Sequence, residues 1–468
     1  MRTRLSVLQM KIEQIYTGCL AQGAYYIESE GEVAIIDPLR EVNSYIEKAK
    51  RNHAKIKYVF ETHFHADFVS GHVELSQKTN APIIYGPNAN PTFEATIATD
   101  NQEFSLGKAT IKVLHTPGHT MESSCYLLLD ENQKQVALFS GDTLFIGDVG
   151  RPDLAQNGAL TMADLAGHLY DSLNQKIMPL SDDLIVYPAH GAGSACGKNM
   201  SKETSDTLGH QKAVNYALQT QTKEQFIEAV TDGLTPPPFY FPKNVMLNKT
   251  GIQAVTGVME RGLTAHSPKE FEDLVNVTDA LIIDTRKPDA FGKGFIPRSI
   301  FIGIDGDFAP WVGTLVRDIQ QEILIVADEG REEEVVKRLA RVGYDNVLGY
   351  LEGGIEAWKA SGRETDEIDS VSAEEFAEIY KRNNLIIKDV RKTTEFETGH
   401  IKDAENIPLA QISELMTEFD KEEPNYVHCA GGYRSMVASS ILKSRGYHNV
   451  VNIEGGFGAI LKTDVGVG

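Results

Sequence analysis

The sequence predicts a three-domain α/β protein: a mixed α+β domain followed by two small α/β domains with parallel sheets. Three observations predict this. The chain has 468 residues, enough for about three domains that each bury a core. Its N-terminal part carries three short polar motifs, each placed after an apolar, β-branched run. Its C-terminal part contains two copies of one pattern.

The motifs are THFHAD at 62–67 after KYVF, TPGH at 116–119 after IKVL, and GDT at 141–143 after QVALFS. Strands that each deliver a His or Asp at their ends gather metal ligands from distant sequence onto one rim. A single histidine so placed reads as an ordinary satisfied residue; three motifs in the same context do not. His63, His119 and Asp142 make two imidazoles and one carboxylate, the set that leaves open positions on a non-haem iron. His115 reads as a strand-end residue, and His53 and His72 as ordinary loop or helix positions.

From about residue 11 to 250 this arrangement resembles the metallo-β-lactamase superfamily, and within it the persulfide dioxygenases (sulfur dioxygenases). The most specific segments are GDTLFIGDVGRPDL at 141–154 and YPAHGAGSACGKN at 187–199. The resemblance implies an αββα sandwich over 11–255, with one Fe(2+) per chain on His63, His119 and Asp142. It also implies oxidation of a low-molecular-weight thiol persulfide by O₂ to sulfite. His65 and Asp67 are expected to orient ligands or bound water. The dinuclear hydrolases carry H-x-H-x-D-H, whose Asp and last His hold a second metal. Here Phe68 follows Asp67, which leaves at most Asp67 and His190 for a second ion. One metal is therefore expected, with His190 as a hydrogen-bonding residue.

Two further positions are read as substrate-binding. Arg151 is a partner for a carboxylate of the thiol substrate or, equally, half of an exposed salt bridge. Cys196 lies in GAGSACGK with Lys198 two positions on. It reads as a thiol of lowered pKa that accepts persulfide sulfur, the alternative being a small packing residue.

The repeat pairs LIIDTRKPDAFGKGFIP (281–297) with LIIKDVRKTTEFETGHI (385–401), and LEGGIEAW (351–358) with IEGGFGAI (453–460). The second copy, 368–468, resembles an active rhodanese (sulfurtransferase) domain. Its loop CAGGYR runs from Cys429 to Arg434. Ala430, Gly431, Gly432 and Tyr433 let backbone N–H groups converge on the sulfur, and a following helix N-terminus with Arg434 favours a thiolate or persulfide. The spacing C-x4-R is tighter than the C-x5-R of a phosphate cradle. The first copy, 262–365, has IVADEGREEEVV at the matching place, and no cysteine lies between Cys196 and Cys429. Its Asp328, Glu329, Glu332 and Glu333 would repel a sulfur anion, so a structural role is expected, spacing or docking the two active modules.

A net charge of −21 argues against nucleic acid or an anionic membrane as partner and for a cytoplasmic protein. No run approaches the roughly 18 apolar residues of a membrane span. The opening MRTRLSVLQM lacks a sufficient apolar core for a signal peptide, and Met10 is an alternative start. Four cysteines without a spacing framework indicate reducing conditions. Residues 200–230 read as polar helix, and TPPPFYFPKN at 235–244 as proline punctuation without regular structure. The expected partners are a thiol persulfide, O₂, sulfite and thiosulfate, with a homo-oligomer left open. A zinc thioesterase of the glyoxalase II type, acting on S-acyl-glutathione, is the alternative enzyme. A non-enzymatic sulfur carrier or persulfide sensor is the alternative outside enzymes.

Overall fold

A computed structural model describes residues 10–156, 160–219, 221–234, 236–382 and 384–468. The readings of residues 1–9 and of Thr235 lie outside the described residues. The chain divides into two compact units, Met1–Val255 with Ala340–Gly343, and Thr256–Leu339 with Tyr344–Gly468.

The first unit holds two six-stranded sheets. The first sheet begins with β1 (Lys11–Thr17), β2 (Gln22–Ser29) and β3 (Glu32–Ile36). Helix α1 (Asn43–Arg51) leads to β4 (Lys55–Phe60), and α2 (His72–Thr79) leads to β5 (Ile83–Tyr85) and β6 (Thr96–Ile97). The second sheet contains β7 (Glu103–Leu106), β8 (Ala109–His115), β9 (Ser124–Leu129) and β10 (Gln135–Gly141). After α3 (Met162–Ser172) it closes with β11 (Ile185–Pro188) and β12 (Asp206–Thr207). Period-two alternation divides each strand between two cores. In β2, Tyr25 and Ile27 enter the core between the sheets, while Ala24 and Tyr26 face the core under α1 and α2. Leu165, Ala166 and Leu169 of α3 pack on the outer face of the second sheet. The layers are therefore α, β, β, α, with the motif-bearing strand ends β4, β8, β10 and β11 delivering the loops that form the site.

The polar stretch after β12 is two short helices, α4 (Leu208–Val214) and α5 (Lys223–Thr231). The proline-rich stretch departs from its reading: helix α6 (Phe241–Thr250) begins inside it. Pro242 occupies the first turn, where a missing N–H removes no helical hydrogen bond.

The second unit contains two five-stranded, all-parallel sheets of identical strand order. In the first copy the order is Ala265–His266, Val347–Leu351, Ile323–Val326, Leu281–Asp284, Ile300–Phe301. In the second it is Asp369–Val371, Val450–Ile453, Asn425–His428, Ile386–Asp389, Glu405–Asn406. The repeated residues make repeated bonds. Arg286 donates to Asp284 at 2.7 Å and to the Gly294 carbonyl at 2.9 Å; Arg391 donates to Asp389 at 2.6 Å and to Gly399 at 2.8 Å. Among the described residues no helix is long and apolar enough to cross a membrane.

Candidate metal centre and sulfur loop

The loops after β4, β8 and β10 bring His63, His119 and Asp142 together, with one ligand atom of each within 4.8 Å of the others. Asp142 Oδ2 lies 3.8 Å from His63 Nε2 and 3.4 Å from His119 Nε2. That oxygen is buried and has no hydrogen-bond partner, an arrangement that calls for an ion.

The outer nitrogens of both imidazoles are already committed. His119 Nδ1 donates to the Arg151 carbonyl at 2.8 Å. Thr62 Oγ1 gives its own proton to Asp37 Oδ2 at 2.9 Å, so it accepts from His63 Nδ1 at 3.0 Å. Each ring therefore turns a bare Nε2 toward the common point, the tautomer that a metal takes. Burial, then the neighbouring His65, holds the His63 imidazole well below the usual histidine range, which keeps it neutral. The chain approaches closely here. A Cβ on Gly150 would lie 2.1 Å from the Asp142 carbonyl oxygen and 2.9 Å from His119 Nδ1, so only glycine fits the GDVGRP turn.

Beside this set stands a second group, Asp67, His190 and Cys196. The sequence reading counted only the first two. His190 Nδ1 is 2.8 Å from Asp142 Oδ1, and its Nε2 is 2.8 Å from Asp67 Oδ2. Burial opposes a charge on His190, yet Asp142 and Asp67 outweigh it and hold the imidazolium well above the usual histidine range. His190 thus stands between the two carboxylates, hydrogen-bonded to Asp142 through Nδ1 and facing Asp67 with Nε2. Phe68, fully buried, fills the position of the missing imidazole, its ring 4.3 Å from that of His65 and 6.4 Å from that of His190.

His65 packs against His63, ring centres 4.2 Å apart. Its Nε2 faces Asp37 Oδ1 at 3.1 Å and Glu61 Oε2 at 3.6 Å. Burial and then Asp37 raise the Glu61 carboxyl well above the usual carboxylate range. His72 belongs to this buried cluster, 3.6 Å from Glu61, and not to an ordinary helix position as the sequence suggested. Burial and then His65 lower it to about 3. His115 ends β8 with Nε2 3.0 Å from the Met121 carbonyl.

Arg151 makes the salt bridge of its second reading, but a buried one and not an exposed one. The side chain is buried, and its guanidinium clasps Asp153 through two bonds of 2.6 and 2.7 Å. A third bond reaches the Ala195 carbonyl at 3.2 Å. Arg151 thus ties the Cys196 loop to the His119 turn. The expected electrostatics of Cys196 are also reversed. Lys198 Nζ points to the carbonyls of Ala229 and Asp232, and burial, then Asp67 and Asp142, pushes the Cys196 thiol well above the ordinary thiol range.

Three residues of α6 escaped the sequence reading. Buried Asn248 donates to the carbonyls of His65 and Phe68, both at 2.7 Å, and accepts the Ser70 N–H at 2.8 Å. It pins the whole THFHAD loop. Val245 and Lys249, one helical turn apart, line a cavity of about 150 Å³ with Phe64, Ala66, His119 and Leu154. Lys249 and Glu122 bring opposite charges to the lining of that cavity. No local pattern marks these residues, because they meet a loop about 180 positions earlier.

In the second unit, Cys429 is buried at the end of strand Asn425–His428. Its Sγ accepts the Gly432 N–H at 3.1 Å, and helix Tyr433–Ser444 starts immediately after. Gly432 has φ +99°, a left-handed conformation natural to glycine. Ala430 and the Cys429 carbonyl are gripped from the far side by the N–H groups of Gly458 and Phe457. The Arg434 guanidinium forms a two-bond pair with Glu395 at 2.6 and 2.8 Å while remaining within electrostatic reach of Cys429. Tyr433 turns its hydroxyl to the Gly303 carbonyl of the first copy, 2.9 Å away. In the first copy Val326 and Ala327 replace the cysteine end of the loop, and Arg331 pairs with Asp305 and Glu334.

The comparisons agree with this architecture. Residues 17–190 match the metallo-beta-lactamase superfamily model, and 267–361 and 372–463 match the rhodanese-like domain. A metallo-beta-lactamase from Staphylococcus aureus subsp. aureus COL superposes with a TM-score of 0.65 at 31% identity, covering 74% of this chain and 98% of that one. The chain belongs to the metallo-beta-lactamase superfamily. Two rhodanese-like domains follow its metallo-beta-lactamase domain. Relatives include a hydroxyacylglutathione hydrolase of Francisella philomiragia, 34% identical over 36% of this chain and 61% of that protein. A cytoplasmic hydroxyacylglutathione hydrolase of Arabidopsis thaliana is 31% identical over 39% of this chain and 67% of its own length. The chain thus spans about three fifths to two thirds of these two relatives.

Proposed function

We propose that this protein is a mononuclear iron persulfide dioxygenase joined to a rhodanese sulfurtransferase. The observation that supports it is the altered second-metal position: buried Phe68 stands where the two-metal pattern has an imidazole, and His190 Nδ1 is engaged by Asp142. Hydrolysis of a glutathione thioester by two metals needs that position open. Iron(II) on His63, His119 and Asp142 would supply open positions for redox chemistry between a persulfide and O₂. The overall reaction, RSSH + O₂ + H₂O giving RSH and H₂SO₃, takes both O₂ atoms to the outer sulfur and one oxygen from water.

The chain's own residues prepare that reaction. Thr62 and the Arg151 carbonyl hold the two imidazoles in one tautomer. His190 keeps Asp142 ionised and aimed. The cavity beside His119 would take the thiol carrier, with Lys249 and Glu122 on its lining to meet charged groups of either sign. Cys196, held as a neutral thiol, fits a packing role on the rim better than sulfur acceptance. In the second unit Cys429 would take sulfane sulfur from a thiol persulfide and pass it to sulfite as thiosulfate, one site using the product of the other.

A second reading has its own support: the relatives are named hydroxyacylglutathione hydrolases. Metal content of anaerobically purified protein, together with O₂ uptake on glutathione persulfide and hydrolysis of S-lactoylglutathione, separates the two. We expect iron near one equivalent and O₂ uptake. Two equivalents of zinc with thioester hydrolysis and no O₂ uptake would reject the dioxygenase.

A further inference from the structure

The first rhodanese-like copy has no cysteine, yet it meets the second copy at the element that carries the sulfur loop. Helix Tyr433–Ser444 lies on strand Ile300–Phe301: the Phe301 N–H donates to Ser440 Oγ at 2.8 Å, with both residues buried. Near the helix start, Tyr433 leaves the CAGGYR loop and enters the first copy. Its hydroxyl donates to the Gly303 carbonyl at 2.9 Å, and its ring meets Phe301 edge-on at 5.5 Å. Gly306 completes the seat. A Cβ there would stand 2.7 Å from two ring carbons, so the ring rests directly on glycine backbone. Burial, then Asp307, raises the Tyr433 hydroxyl, which keeps it a donor at neutral pH.

The residue before Tyr433 is Gly432, whose N–H points at Cys429 Sγ from 3.1 Å. Gly432 sits at φ +99°, and nothing stands within 4 Å of a Cβ built on its neighbour Gly431. The loop therefore has little packing of its own on that side. An anchor at Tyr433 limits where the Gly432 N–H can swing. We propose that the first copy is the docking wall of the second copy's sulfur loop, with Tyr433 the positioning residue that keeps the Gly432 N–H on Cys429. Its importance rests on the reading that Cys429 carries sulfane sulfur, but the geometry does not.

The test is the pH dependence of Cys429 alkylation by iodoacetamide in the full chain, followed by mass mapping of the Cys429 peptide. Gly306→Val pushes the Tyr433 ring from a site in the other copy; Tyr433→Phe removes only the hydroxyl bond and keeps the fold. A hydrogen bond to the thiolate favours the charged form. Loosening it should raise the alkylation midpoint and slow persulfidation of Cys429 by glutathione persulfide roughly threefold to tenfold in Gly306→Val. Tyr433→Phe should move both the same way by less, with a melting temperature near that of the unmodified protein. An unchanged midpoint and rate in both variants would overturn the proposal. A shifted midpoint in a protein whose Cys429 accepts no sulfur from any persulfide would support the anchor and reject the sulfurtransfer reading.

Discussion

Two cysteine loops in this chain look alike in sequence and differ in what surrounds the sulfur. Cys196 and Cys429 each follow a strand, lie among small residues and are buried to the same degree, about 1% exposed. At Cys429 the sulfur receives the Gly432 N–H at the start of a helix, partial positive charge aimed at an anion. At Cys196 burial, then the carboxylates of Asp67 and Asp142, opposes a thiolate, with His190 in the same cluster. Loop composition supplies flexibility and room. The sign of the surrounding field decides whether a thiol becomes a nucleophile.

The sharpest way to break this contrast is a reciprocal pair of variants. His63→Ala should lower bound iron and O₂ uptake on the order of a hundredfold or more, since even outer partners of metal ligands change affinity by about 10 to 100. Persulfidation of Cys429 should be untouched. Cys429→Ser should abolish sulfurtransfer while O₂ uptake continues and sulfite replaces thiosulfate as the product. Loss of both activities in either variant would mean that the two centres are not separate.

Next in size is Asn248→Ala, which removes three buried hydrogen bonds from the loop 63–70. A loss of about 3 kcal/mol of stability is expected, because the carbonyls of His65 and Phe68 are left unpaired. Thermal melting and metal content should fall together; a variant that melts normally and keeps its metal would show that the loop is held elsewhere.

A smaller effect is expected from Cys196→Ala. Its sulfur lies on the rim but in the wrong field for a thiolate, so persulfide oxidation should drop only a fewfold, about the effect of one hydrogen-bonding partner. Mass mapping after brief persulfide exposure should find sulfane sulfur on Cys429 before Cys196. Sulfur appearing first on Cys196 would reverse the contrast.

The smallest effect concerns Glu395 and Arg434. The Arg434 hydrogen bonds outweigh a partial burial that works the other way and hold the Glu395 carboxyl down at about 2. A carboxyl depressed on folding stabilises above its ordinary range, and that contribution disappears as pH falls through about 2. Because the pair is partly exposed, the contribution should be under about 1 kcal/mol. Glu395→Gln should narrow the difference in melting temperature between neutral and acidic solution slightly. A difference unchanged by the substitution would mean that the pair adds nothing.

The parts of the site legible in sequence were those with local signatures. THFHAD, TPGH and GDT announce donor atoms at strand ends, Phe68 announces a missing ligand, and CAGGYR with the paired repeats announces two copies of which one bears a cysteine. The proline-rich stretch misled because a proline in the first turn looks the same in sequence as one that prevents a helix. The salt-bridge reading of Arg151 missed only its burial, since both Arg151 and its partner Asp153 lie mostly buried.

By itself, the amino-acid order determined which atoms can bind a metal or carry sulfur, since that depends on residue type and short spacing. Only the tertiary structure decided which of those atoms are free. His190 is shared by Asp67 and Asp142, Arg434 is taken by Glu395, Asn248 reaches back to His65, and Tyr433 is claimed by Gly303. Most of these partners lie tens to hundreds of residues apart. Burial strengthens whatever charge or hydrogen bond it encloses, and neither burial nor distant neighbours can be read from a local stretch of chain.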